Sequence, residues 1–279
     1  MGRARSHITP TVRLRIDLAY DGGPFNGFAR QHGLTTVQGS LERALHLVFG
    51  QELDTACAGR TDKGVHARGQ VVHVDLEIDP ELERAQKRTS TLLADLDAAR
   101  SRLDHAVGDA ISIWSVRQVA QNFHARFSAT RRSYRYRIVD SPAMDPLGRG
   151  DAWHVRGELA LRPMQLAAKH LLGTHDFASL CRNRDKKTTV RRLIAITVVR
   201  PEPGAVEIRL TGRSFCQQQV RSIAGCLVAI GHGEHEPAWM AEVVAARDRG
   251  IAAAVAPANA LVLESVSYGG KFPSSPLVQ

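Results

Sequence analysis

The sequence predicts an α+β protein made of two ferredoxin-like β-α-β-β-α-β units. Three observations carry this expectation. Strands with period-two apolar alternation interleave with helices of period 3.6, in that order, up to about residue 118. The order recurs with one extra helix over 119–279. The length of 279 residues, against about 150 residues per domain, fits one large domain or two. The expected units are 1–118 and 119–279.

Taken in order, the first strand starts at Thr11, with Val12, Leu14, Ile16 and Leu18 apolar and Arg13, Arg15 and Asp17 polar, the pattern of a half-buried strand. YDGGPFNGFARQ, Tyr20 to Gln31, is an irregular loop by its glycines and proline. A helix follows with Leu41, Leu45 and Val48 on one face, Thr36 as its N-cap and Gly50 as its stop. Two strands, LDTACAG and QVVHVDL, flank the polar stretch AGRTDKGVHARG, Ala58 to Gly69. Asp79 to Arg102, rich in Ala, Leu, Arg and Glu and free of Gly, reads as one long exposed helix. AISIWSV closes the first unit.

The second unit opens with FHARFSA, Phe123 to Ala129, and the strand RRSYRYRIV, in which Tyr134, Tyr136 and Ile138 share one face and Arg135 and Arg137 the other. Pro163 begins a helix that Gly173 stops. HDFASLC leads into a cationic run from Arg182 to Arg192, by itself a solvated loop. The strands RLIAITVVR and GAVEIRLTG are joined by Pro-Glu-Pro-Gly. SFCQQQVRSIAGCLVAIG reads as a helix with Val220, Ile223, Ala224 and Leu227 as its apolar stripe. A helix after Pro237 and the strand ALVLESVSY end the unit, and the tail from Gly269 is Pro- and Ser-rich.

Composition narrows the function. Hydrophobic residues at 43% and charged residues at 23% suit a globular protein with a sizeable core, and no run of 18 apolar residues suggests a membrane span. Lys and Arg total 37 against 28 Asp and Glu, giving +9, a balance suited to a polyanionic partner. The four cysteines form no C-x-x-C pair and read as buried, reduced thiols of a cytosolic protein. His232 and His235 in GHGEHE have no partnering Cys and read as a solvated loop, not a metal site. MGRARS matches a myristoylation pattern in form but reads as a basic lead-in.

The chemistry points to Asp62. It is one carboxylate among Arg60, Thr61 and Lys63, on a turn fixed by Gly59 and Gly64, the arrangement of a working acid or of a solvated surface turn. GRTDKGVHA resembles the catalytic-loop signature of the TruA-type tRNA pseudouridine synthases. Five more segments are similar to that family: Tyr20-Asp21-Gly22 with its following Phe and Gly, Val37-Gln38-Gly39, FHARFS, HDFASLC, and the Phe215…Val220-Arg221-x-Ile223-x-Gly225 stretch. Phe28 stands where the family usually has Trp, and Gln217-Gln218 where it often has His-His or His-Gln.

The resemblance spans about residues 12–268 and implies a pseudouridine synthase fold with a central cleft, in which Asp62, Tyr134 and Arg221 meet. It implies isomerisation of uridine to pseudouridine at tRNA positions 38 to 40, without cofactor or metal, by a cytoplasmic homodimer. Asp62 would be the catalytic nucleophile or base, Arg221 the guanidinium that keeps it ionised, and Tyr134 the ring on the target base. Arg60, Thr61, Arg126 and Leu261 would bind substrate, Arg60 by holding the flipped-out nucleotide. Whether Asp62 attacks the ribose, attacks the base or removes a ribose proton is left open by the sequence. The competing reading is a non-catalytic RNA-binding protein on the same scaffold. A hydrolase pairing Asp62 with His66 lacks a second acid.

Overall fold

The computed structural model describes residues 11–78, 83–143, 146–182 and 188–269, with the backbone alone of 83–87. The basic lead-in, residues 183–187 of the cationic run and the tail beyond 269 lie outside the described residues.

Strand β1 (Thr11–Tyr20) enters the loop of the Tyr-Asp-Gly-Gly segment and then helix α1 (Val37–Phe49). The Thr36 hydroxyl accepts the Gly39 N–H, and Gly50 ends the helix at φ 74°, as the sequence predicts. Strand β2 is only Ala56–Cys57, shorter than expected, because Thr55 gives its N–H and hydroxyl to Glu42 of α1 rather than to the sheet. Strand β3 (His66–Glu77) leads to α2 (Glu83–Ala94), α3 (Leu96–Ala106) and strand β4 (Ile111–Val119).

The single exposed helix expected over Asp79–Arg102 is thus two helices. Asp95 leaves helical geometry and caps α3 by accepting the Ala98 N–H at 2.9 Å, as Asp does when it competes with the backbone. Nor is the pair solvated all round: Thr89, Leu92, Ala99 and Leu103 are buried. Antiparallel pairing in the order β4-β1-β3-β2 is that of a ferredoxin-like unit, with Ile16 opposite both Val72 and Val116.

The second half repeats the scheme with β5 (Ala129–Val139), α4 (Leu161–Lys169), β8 (Val190–Glu202), β9 (Ala205–Gly212), α5 (Gln219–Gly231), α6 (Trp239–Ala246) and β10 (Leu261–Tyr268). Its strands run antiparallel in the order β10-β5-β9-β8. Two short strands go beyond the expectation: β6 (Trp153–His154) beside β5, and β7 (Gly173–Asp176) beyond β8. Tyr136 is a core ring, as expected, with its hydroxyl on the Pro257 carbonyl at 2.8 Å.

Parallel pairing of β3 with β10, Val262 opposite His66 and Leu263 opposite Ala67, fuses the units into one ten-stranded sheet. Farther along the same edge of β3, Val72 and His73 pair with β2 instead. The loop 58–65 is consequently held between β2 and β10, on the seam.

The seam also corrects the reading of β1 as half-buried. Arg15 and Asp17, expected on a solvent face, are 1% and 0% exposed. The segment after β4 crosses that face, and the Arg15 guanidinium carbon lies 4.8 Å from the centroid of Tyr268 and 5.8 Å from that of Phe123. Asp17 neutralises Arg15 at 2.8 Å and also accepts from Ser115 and Arg117. Buried charges persist when paired and hydrogen-bonded in this way. The cysteines depart from expectation too: Cys181 and Cys216 are joined as a disulfide with Cα atoms 5.8 Å apart. A backbone bond from Arg182 N–H to the Gln217 carbonyl brings their segments together. Among the described residues no helix is long and apolar enough to cross a membrane.

Gly69 lies where the backbones of the two halves touch. A Cβ there would stand 2.5 Å from the Glu264 carbonyl oxygen and 3.0 Å from Ser265 Cα. Gly69→Ala should cost about 1–3 kcal/mol in urea unfolding, the range for overpacking. Gly148→Ala, with open space around it, should stay within about 0.5 kcal/mol of wild type. Equal stability of the two variants would mean that the seam yields freely.

Candidate active site

The loop 58–65 is tied down residue by residue. The Ala58 carbonyl accepts from Arg132 at 2.8 Å and the Gly59 carbonyl from Gln70 at 2.7 Å. The Thr61 carbonyl accepts the Phe28 N–H at 3.0 Å, and the Asp62 carbonyl accepts the Val65 N–H at 3.1 Å, closing a turn through Gly64 at φ 79°. Gly27, at φ 99°, backs this loop so closely that a Cβ would meet the Thr61 carbonyl oxygen at 3.1 Å. The loop from Tyr20 to Gln31 thus serves as the mould in which the Asp62 turn sits.

Asp62 projects into a cavity of about 710 Å³, within the range of ligand pockets. Its Oδ2 lies 3.6 Å from Arg221 Nη1, and its Oδ1 accepts from Gln217 Nε2 at 3.3 Å. Arg221 is aimed by a second bond, Nε to the Ala256 carbonyl at 2.8 Å. The contact with Asp62 is through one nitrogen, not a bidentate fork. The side chains remain 27% and 16% exposed, so the pair adds about 1 kcal/mol or less to stability. Stability alone does not account for it.

Tyr134 and Leu261, a diagonal pair two residues out of register on β5 and β10, line the same cavity and are 9% and 6% exposed. Tyr134 meets Phe215 edge-on, with centroids 5.1 Å apart. Burial pushes its phenol up to about 12, against the pull of Arg132 and with smaller upward contributions from Cys57 and Asp62. It is a neutral hydrogen-bond donor across the physiological range. Burial likewise pushes the nearby Cys57 thiol up to about 11, which argues against a cysteine nucleophile.

Arg60 and Arg126 are exposed on the cavity wall together with Arg182. Thr61 also lines the cavity, but its hydroxyl is engaged 2.8 Å from that of Tyr20. His66 is not among the residues that line it; its Nδ1 faces Asp21 at 3.0 Å in a separate hollow, which removes the Asp62–His66 pairing. Among the described residues no cluster of His, Cys, Asp or Glu is placed to hold a metal ion.

Sequence reasoning missed three contributors. Gln217 reaches Asp62 because α5 begins at Gln219, not at Ser214: Cys216 to Gln219 form a turn, and Gln218 sits at φ 65°. A non-glycine residue in that region stores about 1–3 kcal/mol of strain, beside the groups that face Asp62. Arg132 donates to the carbonyls of Ala58, Arg126, Ala129 and Arg213, stapling the Asp62 loop to the FHARFS turn. Its signal was parity, since it shares the inward phase of Tyr134 and Tyr136. The third is Phe127.

A model of the tRNA pseudouridine synthase family matches residues 167–269. Over 259 residues the chain is 42% identical to tRNA pseudouridine synthase A of Frankia casuarinae, covering 92% of this chain and 89% of the relative. It is 38% identical over 257 residues to the protein of the same name from Caulobacter vibrioides, covering 92% and 99%. Among solved structures, an archaeal box H/ACA sRNP Nop10-Cbf5 complex matches at TM-score 0.36 and 12% identity over 78% of this chain and 44% of that one, too slight a likeness to argue from.

His73 links the site's border to pH. Its Nδ1 accepts the Ala125 N–H at 3.2 Å, and burial, helped by His124 and Arg13, pushes its imidazole down to about 4. The unfolded chain binds this proton near pH 6.5, so stability should fall as pH drops from about 6.5 to 4. The loss attributable to His73 should be about 1–3 kcal/mol, solvent near the ring screening part of the effect. Urea unfolding across that window should show a much flatter profile for His73→Gln. An unchanged slope would mean that His73 is not the group responsible.

Proposed function

The chain belongs to the tRNA pseudouridine synthase A family, and we propose that Asp62 is the group through which it isomerises uridine to pseudouridine in tRNA. The reaction breaks the C1′–N1 bond, turns the uracil and rejoins it through C5. C5 gives up a proton and N1 ends with one, so no atom is gained or lost. Such a step needs an ionised carboxylate beside ribose and base, and a pocket that keeps water from the cleaved base.

The observation that supports this most is the meeting of Asp62 with the Arg221 guanidinium at 3.6 Å in the cavity that Tyr134 and Leu261 also line. A guanidinium keeps its charge under partial burial and favours the anionic carboxylate. Tyr134, neutral and flat, suits the uracil face. Arg60 and Arg126 suit the phosphates on either side of a flipped nucleotide, an extrusion that costs a few kcal/mol. The proposed division at residues 118 and 119 assigns Asp62 to one half and Tyr134, Arg221 and Leu261 to the other.

The target is read as positions 38 to 40 of the anticodon arm, and the working form as a cytoplasmic homodimer on one tRNA. Both follow from the family resemblance. A non-catalytic RNA-binding role is disfavoured, since it would give no reason to aim a carboxylate and a guanidinium at each other in the pocket.

Incubation with unmodified tRNA, followed by carbodiimide mapping of pseudouridine, tests the reading. Wild type should modify uridines in the anticodon arm, and Asp62→Asn should form none while binding tRNA nearly as well. Arg221→Lys should lose about 100-fold or more in rate, because one ammonium cannot serve both Ala256 and Asp62. Turnover by Asp62→Asn would remove Asp62 from the chemistry. Near-normal rates for Arg221→Lys would make Arg221 structural.

A further inference from the structure

Phe127 is 74% exposed, while Phe123, at the start of the same turn, is fully buried. An exposed ring on a loose loop would need no explanation. This one is held rigidly. His124 Nδ1 accepts the N–H groups of Arg126 and Phe127 at 3.1 and 3.3 Å. Ser128 Oγ accepts the His124 N–H, and the Ser128 N–H returns to the His124 carbonyl, both at 2.9 Å. Arg132 fixes the Arg126 carbonyl at 2.6 Å. The His124 ring braces Phe127 with centroids 4.4 Å apart, and the Arg126 guanidinium carbon lies 5.5 Å from the Phe127 centroid.

The hydrogen bonds that shape the turn do not involve the Phe127 side chain, whose ring rests on His124 and turns most of its apolar face to solvent. That face belongs to the lining of the Asp62 cavity. Exposure separates depth from rim: Tyr134 and Leu261 lie deep, whereas Phe127 lies outermost with Arg60, Arg126 and Arg182. Cations around a single flat ring match the parts of a nucleotide, phosphate for the cations and base for the ring.

We propose that Phe127 is a stacking shelf for a nucleobase neighbouring the target uridine, a reading that rests on tRNA being the substrate. A base stacked on an aromatic side chain is stabilised by about 1–3 kcal/mol. That offsets part of the stacking lost when the uridine leaves the strand. Phe127 acts on binding and register, not on the bonds that change.

The test combines the Kd for unmodified tRNA with the single-turnover rate at saturating enzyme. Phe127→Ala should weaken binding about 5- to 150-fold, the equivalent of that stacking energy, and change the saturated rate by less than about threefold. Phe127→Trp should restore affinity, whereas Phe127→Leu, apolar but not flat, should not. On tRNA carrying an abasic residue on one side or the other of the target, wild type and Phe127→Ala should bind equally for one of the two placements. The proposal is overturned by an unchanged Kd for Phe127→Ala, by full rescue with Phe127→Leu, by an affinity loss that tracks a fall in Tm, or by loss of self-association in place of tRNA affinity. A wild-type protein that formed no pseudouridine would sink the catalytic reading alone, and the Kd ranking would still decide the role of Phe127.

Discussion

One carboxylate–guanidinium contact joins the two halves of this molecule at the point where chemistry is expected. Asp62 comes from the loop between β2 and β3, and Arg221 from the first turn of α5, 159 residues later. The parallel pairing of β3 with β10 links the two halves beside this contact. That pairing spans only two residue pairs, and β2 takes Val72 and His73 farther along the same edge. The seam is thus short enough to leave room for a loop and firm enough to fix it.

The surroundings of the pair follow from burial. A phenol pushed up to about 12 and a thiol pushed up to about 11 are uncharged at neutral pH. Among the groups that face the carboxylate, the guanidinium supplies the fixed charge and Gln217 a neutral donor. Arg132 does related work one layer behind. Being 7% exposed, it spends its donors on backbone carbonyls and locks the Asp62 loop against the turn that carries Arg126 and Phe127. Pre-organisation of this kind keeps reacting groups in place before substrate arrives.

Much of this was legible in the residues, where the physics is local. Thr36 and Gly50 bracket α1 by capping chemistry that needs no tertiary partner. Alternation in β5 placed Tyr134, Tyr136 and Ile138 on one face correctly. The Asp62 loop stood out because it is a polar, glycine-flanked interruption between two apolar strands. Long-range facts were not legible. Arg15 and Asp17 look solvent-facing until a segment more than 100 residues on covers them. The break at Asp95 was hidden by a composition that favours helix throughout. Cys181 and Cys216, separated by 35 residues, gave no spacing signal for their pairing. Gln217 looked helical, and only the turn at Gln218 aims it at Asp62.

The coupling between the two charged groups is the claim on which the account turns, and single-turnover kinetics reads it directly. Asp62→Glu, Arg221→Lys and the double variant each retain their charges while misplacing them, so residual rates stay measurable. If the carboxylate and guanidinium act as one unit, the double variant should be no more than about threefold slower than the slower single variant. If the two losses multiply, the side chains act separately and the account is wrong.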